Sequence, residues 1–479
     1  MTTSGLKITV WVKLCWRGKA IPQGPIHSHQ STRRPTTAKS VADPADLASH
    51  STAETLLQRF LDVRRTTESL GSALEPEDFV VQSAEFVSPL KWHLAHTTWF
   101  YETFILKVFD ESYGEFHADF SFLFNSYYEQ MGEFHPRPRR GLLSRPTVSE
   151  VLAYRKHVDE RLSQFLLEAS SSEMTEVMNR VRLGLEHEQQ HQELFLMDLK
   201  HIFLQNPLRP VYRPGVWDSP QKLEAIQWVR FPEGQREVGA NDTSFCYDNE
   251  LPKHLVYVGE FDLANRLVTE AEYLEFIQDG GYRNPKWWLS DGWAELQQTG
   301  RALPYGWQER GEGLEVMTLR GWREIRPDVP VCHVNYFEAA AFAEWKGCRL
   351  PTEFEWEIAA GAQVKRGNFL ETGSFHPQPL DSSVSVGIDG VYDVGIHQLF
   401  GDVWEWTQSA YLPYPGYQAL PGALGEYNGK FMVNQMVLRG GSCFSPADHI
   451  RHSYRNFFAP HMQWQVSGIR LAKNVIRDS

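Results

Sequence analysis

In the run L-E-H-E-Q-Q-H-Q-E, His187 and His191 stand four apart. On a helix that spacing puts both imidazoles on one face, within reach of a single metal ion. The pentapeptide also matches H-E-x-x-H, the zincin protease signature, with Glu188 as the would-be general base. A match that short arises by chance. The glycine and third histidine of the longer metzincin form are missing, since Leu194 and Met197 fill those places. Glu224 is a third ligand only if a linker-like stretch folds back. The other source lies upstream, in S-P-L-K-W-H-L-A-H-T-T-W-F, where His93 and His96 stand three apart. Helical bundles build metal sites from side chains of facing helices. His96, His187 and His191 would form an all-nitrogen facial triad, leaving three positions for substrate and dioxygen. Three neutral imidazoles suit Fe(II), Zn(II) or Cu, so ligand type alone does not choose the metal. A lone histidine is usually an ordinary hydrogen-bonded residue; three on two facing helices favour a metal site.

Such a site needs a rigid frame, and the pattern from about residue 50 to 205 supplies one. Leu56, Leu57, Phe60, Leu61 and Val63 mark a first apolar face, opened by a cap-like Ser51 or Thr52. Residues 89–107 form a second helix with Pro89 in its first turn. Residues 147–168 form a third, where Thr147 and Glu150 make a capping box. Residues 173–204 form the fourth and carry His187 and His191. This is a four-helix bundle with one long connection, residues 108–146, and long loops of that kind usually carry function. Residues 206–225 hold Pro207, Pro210, Pro214 and Pro220 and read as an interdomain linker. From 226 to 475 Gly, Pro, Trp and short β-rich runs dominate, with a helix at about 336–346 and another starting at Thr352. The fold class is multidomain, an α bundle followed by a mixed α/β domain.

The length of 479 residues agrees with two or three domains. Hydrophobic residues make up 42% and charged residues 22%, the balance of a globular chain. No run approaches the ~18 apolar residues of a membrane span. The formal charge of −13 argues against a nucleic-acid partner, which favours a basic face. Residues 1–42 hold seven Lys/Arg and no acid; they read as a disordered or mis-assigned extension, with residues 1–49 outside the fold. The five cysteines include no C-x-x-C pair, which fits a reducing, cytoplasmic setting. The 13% aromatic content, with 16 Trp, exceeds what a bland core needs.

Several runs resemble the ergothioneine-biosynthesis sulfoxide synthases. S-P-L-K-W-H-L-A-H-T-T-W-F and H-E-Q-Q-H look like that family's DinB-like four-helix bundle. P-V-C-H-V-N-Y-F-E-A-A-A-F-A-E-W-K-G-C-R-L-P-T-E-F-E-W-E, G-D-V-W-E-W-T, V-L-R-G-G-S and S-G-I-R-L-A look like its formylglycine-generating-enzyme-like (C-type-lectin-like) domain. The resemblance spans residues 50–475. It implies a non-haem Fe(II) enzyme that uses dioxygen to join the sulfur of cysteine, or of γ-glutamylcysteine, to C2 of hercynine, giving a sulfoxide. It implies His96, His187 and His191 as iron ligands, with His93 structural or behind a ligand. Tyr127 and Tyr128, in the long loop, resemble the branch whose active-site tyrosines come from the bundle and act as proton or hydrogen-atom donors. Arg137 and Arg140 resemble the family's paired arginines, and a guanidinium suits the carboxylate of an amino-acid donor. Gln190, Asn456, Phe457 and Phe458 fall where the family contacts hercynine. A quaternary ammonium has no N–H to donate, so aromatic faces are its natural partners; Trp464 is a further candidate. Phe458 stands where the γ-glutamylcysteine branch has Asp, which favours free cysteine.

Four rivals bound that expectation. Formylglycine-generating enzymes bind copper through two cysteines after G-G-S, where this chain has Ser445 and Ile450. Glu353, Trp356, Glu357, Trp404, Glu405 and Trp406 then read as scaffold. The ovothiol branch commonly carries an added methyltransferase domain, and no G-x-G-x-x-G follows a strand here. A selenoneine synthase would use the same bundle and cage with a selenosugar. From another class, a DinB-type thiol transferase or non-catalytic metal protein would need no tyrosine pair. The expected partners are small molecules, with neither nucleic acid nor membrane, and the oligomeric state is open.

Overall fold

The computed structural model describes residues 44–168, 174–222, 224–241, 244–361, 363–380 and 395–475, with side chains from residue 52. The basic segment before residue 44, Cys15 included, lies outside the described residues.

Four helices form the N-terminal bundle: α1 (Pro44–Gly71), α2 (Leu90–Tyr101), α3 (Val148–Glu168) and α4 (Met174–Leu204). Each of α1 and α2 packs on both α3 and α4. Their apolar stripes meet in a core that includes Phe60, Trp99, Tyr154, Val158, Val181 and Leu185. Two boundaries differ from expectation. The first helix starts at Pro44, so Ser51 and Thr52 lie within it rather than capping it. Pro89 precedes the first residue of α2, where its missing N–H and fixed φ leave the helix undisturbed. The Thr147–Glu150 capping box is present: Glu150 N–H donates to Thr147 Oγ1 at 3.2 Å and Thr147 N–H to Glu150 Oε2 at 2.6 Å. Gly184 of α4 lies against the ring of Tyr101, which a Cβ would meet at 2.5 Å, so glycine lets α2 and α4 close together beside the histidines.

A π-helical turn, Glu102–Leu106, extends α2. Its buried Glu102 accepts from the Tyr113 and Tyr154 hydroxyls, both at 2.6 Å, and from Phe116 N–H at 3.2 Å. The carboxylate thereby fastens the start of the long loop to the bundle.

The C-terminal domain is built on short sheets. A four-stranded sheet runs in the order Asn456–Phe458, Met436–Arg439, Trp404–Ala410, Ser467–Gly468. A three-stranded antiparallel sheet pairs Phe261–Ala264 with Trp228–Phe231 on one side and Ala472–Asn474 on the other, so the end of the domain closes on its beginning. The expected helices run Tyr336–Trp345 and Glu353–Gly361. Two more, Glu270–Gln278 and Ser290–Thr299, lie in the stretch read only as irregular. Buried ion pairs hold this frame: Arg439 to Glu357 at 2.6 Å, Arg455 to Glu353 at 2.8 Å, and Arg470 to Glu405 at 2.8 Å. The proline-rich connection is strapped to both domains at Tyr212. Tyr212 is buried, donates its hydroxyl to Leu70 O at 2.7 Å and its N–H to Leu319 O at 3.0 Å.

Candidate active site

His96 from α2 and His187 and His191 from α4 converge at the junction of the two domains. All three are buried, and one nitrogen from each lies within 4.8 Å of the others. His96 Nε2 and His187 Nε2 are 3.2 Å apart. Burial lowers the pKa of each ring, for His187 to about 3, so all three are neutral at ordinary pH and each keeps a lone pair. His96 Nδ1 faces Phe124 O at 2.6 Å. A carbonyl only accepts, so Nδ1 carries the hydrogen and Nε2 is free to ligate. His187 Nδ1 has no partner. This buried set of three nitrogen donors fits a divalent transition metal and could hold one.

Glu188, between the two ligands, is turned the other way. It accepts from Arg64 at 2.9 Å, from Thr67 at 2.7 Å and from Arg155. Burial alone would raise its carboxyl, but Arg155 and Arg64 hold it down to about 2. A carboxylate so occupied is no general base, and the protease reading ends there. Glu186 behaves similarly: burial raises it, but His449, Arg451 and Arg59 hold it down to about 2.

Beside the histidines lies a cavity of about 230 Å³ shared between the domains. Eight of its sixteen lining residues are aromatic, which decides its chemistry: it is walled by π faces. It brings together Tyr127, Gln190, Asn456, Phe457 and Phe458 from five separately read positions. Gln190 donates to the Tyr454 hydroxyl at 2.6 Å and accepts from the Tyr427 hydroxyl, so its amide is fixed across the junction. Phe457 stacks on Tyr411 at 4.1 Å, and Phe458 meets Trp464 edge-on at 5.2 Å. Trp464 itself is absent from the lining; its indole N–H goes to Asp198 at 3.1 Å. Tyr247, Tyr427 and Phe431, which the sequence reading did not single out, complete the aromatic wall. Tyr427 is 5.8 Å from the His187 ring, centroid to centroid. No local pattern marks these three; they sit in loops whose only signal is aromatic content.

The long loop delivers its tyrosines by an Asn125 clamp. Asn125 Nδ2 donates to Tyr128 O at 3.0 Å, and Tyr128 N–H donates to Asn125 Oδ1 at 3.2 Å. Tyr127 faces the cavity, while Tyr128 stacks behind it at 4.7 Å and is fully buried. Burial raises both phenols above their ordinary range, so both remain O–H groups at neutral pH.

Arg137 and Arg140 are not in the cavity lining. Arg140 is buried, lies 3.4 Å over the Trp92 ring and donates to Ser88 Oγ at 3.0 Å, with its Nε unpaired. Trp92 in turn stacks on His96 at 4.4 Å. Arg137 is exposed and donates to Phe86 O. Among the described residues neither makes an ion pair.

The G-G-S turn closes the junction. Gly440 and Gly441 both have positive φ, 100° and 84°, which glycine adopts without strain. Beyond them Ser442 Oγ and Ser445 Oγ each donate to the Glu193 carboxylate of α4 at 2.6 Å, and Trp404 Nε1 donates at 2.7 Å. Ser445 and Trp404 therefore bind the two domains together.

A helical bundle carrying a buried three-histidine cluster, roofed by a domain of short sheets and sharing an aromatic cavity with it, defines a two-domain class of protein. Residues 59–195 match the DinB superfamily, and residues 215–475 match the sulfatase-modifying factor enzyme 1-like domain. The chain is 31% identical over 448 residues to the hercynine oxygenase of Mycolicibacterium thermoresistibile, covering 88% of this chain and 96% of that one. It is 35% identical over 321 residues to the hercynine oxygenase of Mycolicibacterium smegmatis, covering 62% and 72%. It is 26% identical over 370 residues to ergothioneine biosynthesis protein 1 of Schizosaccharomyces pombe, covering 69% and 44%. The chain belongs to the hercynine oxygenase family. No helix among the described residues is long and apolar enough to cross a membrane.

Proposed function

We propose that the protein is an iron(II)-dependent sulfoxide synthase that joins the sulfur of cysteine to C2 of hercynine with dioxygen. The observation that carries this reading is the aromatic cavity beside three neutral imidazoles: one recognises a permanent cation, the other holds a redox metal. The reaction breaks the imidazole C2–H and the thiol S–H bonds and forms C–S and S=O bonds. Dioxygen is reduced by four electrons, one oxygen ending in the sulfoxide and the other in water.

His96, His187 and His191 would hold the Fe(II), whose chemistry is activation of dioxygen beside thiolate and imidazole. Phe457, Phe458, Tyr427 and Tyr454 enclose the trimethylammonium by their faces, and Gln190 and Asn456 orient the rest of hercynine. Tyr127, protonated and facing the cavity, supplies the proton or hydrogen atom that steers oxidation toward C–S bond formation, with Tyr128 stacked behind it. Arg140, desolvated and without a carboxylate, pairs with the donor's carboxylate, assisted by Arg137. Phe458 offers nothing to a donor's ammonium, which supports cysteine over γ-glutamylcysteine.

The test is anaerobic Fe(II) reconstitution followed by oxygen, hercynine and competing cysteine, γ-glutamylcysteine and selenosugar, read by mass spectrometry. The expected product is hercynylcysteine sulfoxide. Absence of a hercynine adduct with every donor rejects the proposal. In Tyr127→Phe, sulfoxide formation should fall by about 10²–10⁴; unchanged formation removes the role given to that tyrosine.

A further inference from the structure

A chain of contacts leads away from the metal-facing side of His191. His191 Nδ1 lies 2.9 Å from His93 Nδ1, and His93 Nε2 lies 2.9 Å from Asp198 Oδ2. All three side chains are buried. Asp198 also accepts from Ser88 N–H at 2.8 Å and from the Trp464 indole at 3.1 Å.

Donor and acceptor roles have one self-consistent assignment for neutral imidazoles. The Asp198 carboxylate, already held by two N–H donors, accepts from His93, so His93 Nε2 carries the hydrogen. His93 Nδ1 is then an acceptor, and His191 Nδ1–H must donate to it. That leaves the lone pair of His191 on Nε2, on the opposite edge of the ring. The three imidazoles are thus oriented to different degrees. His96 has the Phe124 carbonyl, His191 has a two-residue chain ending in a carboxylate, and His187 Nδ1 has no partner.

We propose that Asp198 and His93 are positioning residues that hold His191 in the Nε2-ligating tautomer and orientation. The proposal rests on the reading of His96, His187 and His191 as a metal site. Through Trp464, which packs on Phe458, the same carboxylate also ties the ligand to the cavity wall contributed by the other domain.

The experiment uses the full apo-chain and Co(II) alone, with affinity and visible d–d absorption as readouts and circular dichroism and thermal midpoint as controls. His93→Phe removes the acceptor and is expected to weaken Co(II) binding about 10–100-fold and to shift the d–d bands. His93→Gln can still accept from His191 and donate to Asp198, and is expected to restore most of the affinity. The proposal is overturned if folded His93→Phe matches wild type in both readouts, or if Gln loses as much as Phe. Should His93→Phe fail to fold, Asp198→Asn decides, with weaker binding and shifted bands expected and wild-type values overturning it. Failure of the wild-type chain to bind Co(II) would instead reject the metal site itself.

Discussion

Two buried polar regions of this molecule follow opposite rules. Around Glu188, and again around Glu353 and Glu405, each carboxylate is saturated by guanidinium, hydroxyl or indole donors. A few residues away, the histidine cluster and its neighbours leave His187 Nδ1 and Arg140 Nε without partners. Buried polar groups are normally satisfied, and a carboxylate whose two oxygens are both taken serves as frame. An unpaired imidazole nitrogen and an unpaired guanidinium N–H beside a cavity are groups that can still bind. The lesson is sharpest inside one pentapeptide: in H-E-Q-Q-H the histidines belong to the open region and the glutamate to the closed one.

That contrast can be broken at either end. His187→Ala should reduce bound metal and product to background, checked by metal content and mass spectrometry, while the apo-chain stays folded. Loss of folding would move His187 to the frame. Glu188→Gln should do the reverse. Arg64 and Arg155 each lose one of two carboxylate partners, keeping Asp159 at 2.7 Å and Glu68 at 3.2 Å, and stability should fall by about 3 kcal/mol in chemical denaturation. A variant as stable as wild type would show the network to be dispensable.

Acid titration of the apo-chain should separate the regions by pH window. His187 is depressed from 6.5 to about 3, so between those values the unfolded chain binds more protons. Stability is full above pH 6.5 and falls as pH drops through the window, by about 1.4 kcal/mol per unit for one such group. Glu188 is depressed from 4.5 to about 2, so its contribution is full above pH 4.5 and is lost as pH falls toward 2. His187→Ala should make the upper window shallower, with the lowered His96 and His191 rings still contributing there, and Glu188→Gln the lower one; the same change from both variants would show one coupled region instead of two. The smallest effect is expected at the cavity wall. Phe458→Asp should shift the donor preference toward γ-glutamylcysteine by about tenfold, the equivalent of about 1.4 kcal/mol, in a competition assay. No shift would separate Phe458 from donor choice.

Much of the frame was legible in the sequence because helix periodicity and capping are local. The Thr147–Glu150 box, the i,i+4 histidines and the four apolar stripes all lie within a few residues of themselves. The start of α1 was misplaced because Ser51 and Thr52 have the chemistry of a cap but occupy helical positions. Two helices in the C-terminal domain were missed, being short and set among tryptophans and glycines that mask their periodicity. In the candidate site, Tyr127, Gln190, Asn456, Phe457 and Phe458 line the cavity while Tyr128, Arg137, Arg140 and Trp464 do not, and Tyr247, Tyr427 and Phe431 were not singled out, since loop aromatics have no spacing to read.

By itself, the sequence determined which residue types were available and which helix faces they share: His187 with His191, and His93 with His96. It also determined, through the Phe, Trp and Tyr excess, that an aromatic surface larger than a core would exist. Only the tertiary structure decided how those groups are used. It set Glu188 against Arg64 and Arg155, turned Trp464 from the cavity to Asp198, and drew Ser442, Ser445 and Trp404 onto Glu193. The physical reason is distance along the chain. A helix face is dictated by the next four residues, whereas a hydrogen bond between residues more than two hundred apart exists only after both domains have folded and met.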